Sequence, residues 1–222
     1  RRLSIQQRIY EKEFNYSKII NFGVKNSTGD YIIQLNNDTE LMTPNWIQEM
    51  LGFAQREDVG AVGVELFYPD NTIQHAGIII GIGGVAGHVF KNLPKGIHGY
   101  FSKDAMIQNL SAVTAACIMT PKSIYDDVDY MDEKFKVAFN DVDFCLKIRE
   151  KGKLIVYNPF VQFKHYESKS RGFEDTPEKK ERFQAEIDRF HDKWQSVLDK
   201  GDPYYNINLR LDNDQCAIRT EK

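Results

Sequence analysis

Three positions couple a side chain able to bind a cation or move a proton with the boundary of a predicted element: Asp38, Asp141 and His165. Asp38 closes Asn36-Asn37-Asp38, directly after the apolar run Tyr31 to Leu35. In open α/β sheets ligands bind outside the carboxyl ends of strands, so a carboxylate there can hold a cation or a ligand. Asn-Asn-Asp is equally good turn chemistry, and on the residues alone both readings stay open. Asp141 stands just before the apolar helical residues Phe144, Cys145 and Ile148. It reads first as a helix N-cap, with a general base as the alternative. His165 ends the predicted strand VQFKH and precedes Ser168, Lys169 and Arg171, a small cationic loop suited to phosphate oxygens. A divalent cation holding a diphosphate takes hard oxygen ligands, tolerates an imidazole and fills its shell with water and substrate oxygens. Asp38 and His165 would meet that minimum. Asp143, two residues beyond Asp141, cannot face the same way on a helix, so the two do not read as a symmetric dyad.

These positions need a scaffold. Phe14 to Asn26 predicts a helix with Asn15 or Ser17 as cap, ending near Gly29, and Tyr31 to Leu35 predicts a strand. Thr43-Pro44 has the form of an N-cap and first helical residue, followed by Trp46, Ile47, Met50, Leu51 and Ala54 at helical spacing. Val59 to Phe67 is a buried-strand run, completing a βαβ unit with a right-handed crossover. Residues 71–100 are glycine-rich, with His75, His88 and His98, and predict short strands and loops across the mouth of a site. Val113 to Met119 predicts a third strand, Leu154 to Tyr157 and Phe160 to Phe163 one or two more. Thr176-Pro177 opens a long helix whose apolar face is Phe183, Ile187, Phe190, Trp194 and Leu198, stopping at Gly201. His191 lies on its polar side. Arg2 to Tyr10 reads as an edge strand or irregular lead-in, and the chain after Asp212 as a polar, frayed tail.

Composition narrows the class. With 222 residues, 41% hydrophobic, one substantial core is expected. A net charge of −3 gives no electrostatic footprint for nucleic acid. No apolar run approaches the roughly 20 residues that span a bilayer. Cys117, Cys145 and Cys216 show no CxxC spacing, and the first two read as core residues of a reducing compartment. Gly81, Gly83 and Ala86 have dinucleotide-fingerprint spacing, with Asp104 downstream, but the residues that follow hold no helical period, which argues against a nicotinamide site.

GDYIIQLNNDTEL, DNTIQHAG, NLSAVTAAC, FNDVDFCLKIREKG, HYESKSRG with EDTPEKK, and DPYYNINL, in this order over residues 14 to 211, resemble the family 2 glycosyltransferases, in particular rhamnosyltransferase-like members that build O-antigen and other surface polysaccharides. The resemblance implies an α/β GT-A fold: a Rossmann-like mixed sheet flanked by helices, here lacking the N-terminal part of the nucleotide-binding region. Residues 1–211 would form this partial domain, 212–222 a polar tail. It implies metal-dependent, inverting transfer of a sugar, rhamnose among the candidates, from a nucleotide-diphosphate donor to a glycan or lipid-linked glycan acceptor. Asp38, at the family's DxD-type motif, and His165 would bind Mg²⁺ or Mn²⁺, and Asp141 would be the catalytic base. Asn21, Asn36, Asn37, Ser168, Lys169 and Arg171 would face the donor diphosphate. His75, His88, Ala112, Thr114 and Asp143 would shape the sugar and acceptor pocket. A cytoplasmic location follows, with peripheral association at the inner membrane's cytosolic face and a homodimer through an exposed sheet edge left open. The competing reading is a catalytically silent glycan- or partner-binding module of a larger synthase.

Overall fold

Residues Val59–Phe67, apolar and small throughout, form strand β3, buried along all nine positions, and the sheet assembles around it. A computed structural model of the chain describes residues 6–166 and 176–220. The strands on either side of β3 are β9 (Leu154–His165), parallel to it, and β8 (Cys117–Pro121), antiparallel. Beyond β8 lies β1 (Tyr31–Leu35) and beyond β9 lies β2 (Thr39–Leu41), both antiparallel to their neighbours. Short strands β4 (Ile73–His75) and β7 (Gln108–Leu110) extend β3 and β9, which makes this sheet seven-stranded among the described residues. The strands of the expected βαβ unit, β1 and β3, do run parallel, but β8 separates them.

The connecting helix α2 (Trp46–Ala54) buries Met50 and Ala54 against Val62, Val64 and Leu66 on one face of the sheet. It starts later than Thr43-Pro44 predicts, and its N-cap, Asn45, makes no side-chain cap bond. Thr43 works elsewhere: its hydroxyl donates to the Phe160 carbonyl at 3.1 Å and accepts from Gln162 N–H at 3.0 Å, pinning β9 where Pro159 interrupts the ladder. The other face is covered by α1 (Tyr16–Lys25), α3 (Lys122–Asp127), α4 (Asn140–Glu150) and α5 (Pro177–Lys200), over the larger core cluster. Asn15 caps α1 through Lys18 N–H, and Thr176 caps α5 through Lys179 N–H, as the sequence predicts.

The glycine-rich segment forms the short strands and loops expected of it, but its first part lies inside the core rather than across the mouth of a site. Residues 73–80 are all buried. Strands β5 (Ile78–Ile80) and β6 (Ala86–His88) form a two-stranded sheet of their own inside the larger core. Gly77 is required here: its φ is +109°, and a Cβ would meet Leu110 Cδ1 at 2.2 Å. The turn at Gly81 and Gly83 leads into β6 rather than a helix, so the dinucleotide geometry is not built. The described part of the tail, through residue 220, is tied to the body rather than frayed. Phe90 N–H donates to the Asp214 carbonyl at 2.7 Å, Arg210 N–H to that of Ala217 at 2.8 Å, and Cys216 is buried. Cys117 and Cys145 sit in the core as free thiols, both pushed up to about 12 by burial. No described helix is long and apolar enough to cross a membrane.

Candidate functional site

The carboxyl ends of β1, β3 and β9 share one edge of the sheet, and the N-terminus of antiparallel β8 lies beside them. Beyond β1 the chain turns through Asn36 to Asp38 and returns as β2, whose Thr39 pairs with His165. That pairing sets Asp38 Oδ1 at 3.2 Å from His165 Nε2. Asn36 Nδ2 lies 3.2 Å from the same nitrogen. The other ring nitrogen, Nδ1, is 2.7 Å from Gln74 Oε1; in the tautomer with the proton on Nδ1, Nε2 accepts from Asn36 Nδ2, and Asp38 Oδ1 beside it is a second acceptor that pairs with the ring only across a cation or a second proton. A histidine with its far N–H anchored to a carbonyl oxygen is the arrangement that orients an imidazole toward a metal.

This donor set fits Mg²⁺ or Mn²⁺ in one respect and limits it in another. One carboxylate and one oriented imidazole suit a cation that completes its shell with water and phosphate oxygens. Among the described residues no group of three or more His, Cys, Asp or Glu is placed to hold an ion by itself. Any binding would therefore lean on the substrate's oxygens.

Asp141 lies in the first turn of α4, one residue beyond Asn140, and is not the cap. The N-cap is Phe139, in the left-handed region at φ 58°, with no side-chain cap bond. Asp141 Oδ1 accepts from Val142 N–H at 2.9 Å and Oδ2 from Ala115 N–H at 3.2 Å. The next residue of that bridge, Ala116, accepts at its carbonyl from Asn36 N–H at 2.9 Å. Residues 115 and 116 thus join the Asp141 carboxylate to the strand-end turn that carries Asp38. The Tyr16 hydroxyl donates to the Ala115 carbonyl at 3.0 Å, and burial, aided by the Asp141 charge, raises its pKa and keeps it protonated. Gln34 supports Tyr16 at 3.3 Å and holds Tyr125 Oη at 2.6 Å.

The remaining sequence candidates separate. Thr114 sits at this edge, half-buried, its Oγ1 accepting from Ala116 N–H at 3.3 Å. His75 is fully buried behind it, with Nε2 accepting from Thr114 N–H at 3.4 Å and Nδ1 at 3.0 Å from Nδ1 of half-buried His88. Burial first, then His88 and His165, depress its pKa well below the ordinary histidine value, so it is a neutral wall residue. Ala112 is inside the core, its carbonyl bonded to Ile78 N–H, and cannot line an open pocket. Asp143 is also withdrawn: fully buried, it accepts from Trp194 Nε1 at 2.8 Å and pairs with Lys193 Nζ at 2.6 Å. Asn21 is turned away from the edge, its amide donating to Met131 O at 2.9 Å and accepting from Met131 N–H at 3.0 Å. That places Asn21 in the wall of a separate cavity of about 520 Å³ between the helices, with Lys25, Lys147 and Lys193. Asn37 is exposed at the turn. Ser168, Lys169 and Arg171 lie outside the described residues.

Tyr16, Gln34 and Gln74 are not among the sequence candidates. Gln34 and Gln74 share one signal, a polar side chain set in or beside an apolar run: Gln34 within Tyr31–Leu35, where it is the buried position of the strand, and Gln74 between Ile73 and the run Ile78–Ile80. Such a residue must find a partner, and here the partners are site residues or the segment that joins them.

The chain is similar to known proteins over most of its length. The model of the family described as "Glycosyl transferase family 2" matches residues 5–128. A Sinorhizobium fredii protein named "Uncharacterized protein y4gI" is 44% identical over 212 residues, 95% of this chain and 23% of its own length. The O-antigen biosynthesis protein RfbC of Myxococcus xanthus is 35% identical over 218 residues, 95% of this chain and 16% of its own. The chain therefore spans less than a quarter of the length of these two relatives. A crystal structure of GalNAc-T7 with UDP, GalNAc and Mn²⁺ superposes with a TM-score of 0.58 at 11% identity, covering 86% of this chain and 36% of that one, which shows the GT-A-like fold. With the family model matching more than half of its residues, on a GT-A-like sheet, this chain belongs to glycosyl transferase family 2.

Proposed function

We propose that this chain is the catalytic portion of an inverting glycosyltransferase, which moves a sugar from a nucleotide-diphosphate donor to a hydroxyl of a growing surface polysaccharide. The observation that carries the reading is the bridge at 115 and 116, which ties the Asp141 carboxylate and the Asp38 turn to consecutive residues of one sheet edge. RfbC, named for O-antigen biosynthesis, supports the acceptor class, and rhamnose stays a candidate sugar from the sequence resemblance alone.

Asp38 and His165 would hold Mg²⁺ or Mn²⁺, which when bound supplies positive charge to the departing diphosphate. The acceptor oxygen forms a bond to the anomeric carbon as the bond from that carbon to the donor phosphate oxygen breaks, and the nucleoside diphosphate leaves with the electron pair. Asp141 takes the acceptor hydroxyl's proton. Asp143, turned into α5, leaves Asp141 as the α4 carboxylate at the edge, which suits a single displacement with inversion rather than a two-carboxylate route. Thr114 would shape the sugar side of the pocket, with the buried, neutral His75 behind it accepting from its N–H.

The test is incubation of the full-length protein with a panel of dTDP-, UDP- and GDP-sugars, Mn²⁺ and glycan acceptors, followed by NMR of the product's anomeric configuration. Inverted product with a divalent requirement is expected. Retained configuration, or binding of glycan without turnover of any donor, would overturn the reading.

A further inference from the structure

Helix α5 carries a carboxylate where its spacing calls for an apolar residue. Glu186 falls on the stripe formed by Phe183, Ile187, Phe190 and Trp194 and is only 3% exposed. A buried charge must be compensated by hydrogen bonds or an ion partner. Its two oxygens divide the work: Oε1 accepts from Val137 N–H at 2.8 Å and Oε2 from Ala138 N–H at 3.1 Å. Arg182, one turn earlier, brings Nε to 3.5 Å from Oε2.

The turn held in this way is the entrance to α4. Phe139, the next residue, is in the left-handed region that non-glycine residues adopt only when their surroundings impose it. The surroundings are again α5: the Phe139 ring stacks on Phe183 at 5.7 Å and meets Phe190 at 5.6 Å. Asn140 closes the turn through Nδ2 to the Val137 carbonyl at 2.6 Å, and Asp143 N–H bonds to the Phe139 carbonyl at 2.8 Å. Since α4 has no side-chain cap of its own, the direction of its first turn is set from outside. Asp141 projects from that first turn.

We propose that Glu186 is a positioning residue for Asp141: by fixing the Val137 and Ala138 amides it sets the entry angle of α4, so that the Asp141 carboxylate stays in reach of Ala115 N–H and faces the edge shared with Asp38 and His165. The proposal rests on the reading of Asp141 as the base. Reactions of this kind are sensitive to displacements of about 1 Å in a reacting group. A purely structural role would instead lower the amount of folded protein and leave turnover per folded molecule unchanged.

The test uses Glu186→Gln in the full-length protein. Glutamine offers one acceptor oxygen where two amides need one each, and its NH₂ faces an N–H. The expected result is a folded protein with donor KM within about twofold of wild type and kcat per donor-binding site lowered about 10- to 100-fold. Glu186→Asp, which keeps two acceptor oxygens on a shorter stem, is expected to recover part of that loss, and it decides by the same comparison with wild type where the glutamine variant does not fold. An unchanged kcat per folded molecule in the variant read overturns the proposal. Asp141→Asn is run beside them. Full activity in that variant sinks the base assignment itself, whereas an inactive Asp141→Asn with normal Glu186→Gln sinks the positioning role alone.

Discussion

Asp38 Oδ1 and His165 Nε2 stand 3.2 Å apart because β2 folds back to pair with the last residue of β9. Gln74, from a third strand, holds the other ring nitrogen, Nδ1, at 2.7 Å from its Oε1. Gln74→Ala is therefore expected to weaken Mn²⁺ binding in the presence of nucleoside diphosphate about 10- to 100-fold, read by calorimetry. Asp38→Ala should abolish metal-dependent turnover, and EDTA should suppress wild-type activity until Mn²⁺ is restored.

Asp141 accepts from two backbone amides, Val142 N–H at Oδ1 and Ala115 N–H at Oδ2, so an amide in its place keeps one of the two acceptors and loses the capacity to take a proton. Asp141→Asn should fold normally and lower kcat by about 100- to 10,000-fold. Steady-state turnover per folded molecule checks this, and near-normal kcat would remove Asp141 from the mechanism.

Glu65, buried in β3 with Gln162 Nε2 at 2.8 Å from Oε2, is pushed up to about 8, chiefly by burial, with the Asp104 charge adding to the shift and Lys95 opposing it. The folded state thus favours the protonated acid more than the unfolded chain does. Its contribution to stability is complete below the ordinary carboxyl range and is lost as pH rises through about 8. Glu65→Gln should flatten the fall in unfolding free energy between pH 5 and pH 9, an effect on the order of a few kcal/mol, measured by urea denaturation. Equal slopes in the two proteins would mean that Glu65 is ionised in the fold.

Asp202, just past α5, accepts from Ile80 N–H at 2.8 Å, Ser111 Oγ at 2.8 Å and Tyr204 N–H at 2.9 Å. It ties the final segment to the inner sheet of β5 and β6. Asp202→Ala leaves three donors without that acceptor and should cost roughly 3 kcal/mol in chemical denaturation. A loss below about 0.5 kcal/mol would mean that water replaces the carboxylate.

Local pattern carried much of the fold. Phe183, Ile187, Phe190, Trp194 and Leu198 announce α5 because a helix repeats every 3.6 residues, and Thr176 with Gly201 mark its ends. Thr43-Pro44 misled because Thr43 gains two bonds to β9 that no local pattern encodes. The glycines of 71–100 read as short strands and loops across the mouth of a site, yet Gly77 is there so that the backbone can pass Leu110 inside the core. A glycine at a surface turn and one at a close approach look the same in sequence.

The candidate site divides along the same line. The sequence by itself determined that Asp38 follows a strand, that Asp141 opens a helix and that Asp143 cannot share its direction, since each depends on a few neighbouring residues and the backbone period. Only the tertiary structure decided that β8 enters between β1 and β3, that His165 arrives beside Asp38, that Asp143 and Asn21 turn away, and that Glu186 reaches the turn before Asp141. Those contacts join segments far apart in the chain. Their geometry follows from how whole strands and helices pack, which no spacing within one segment contains.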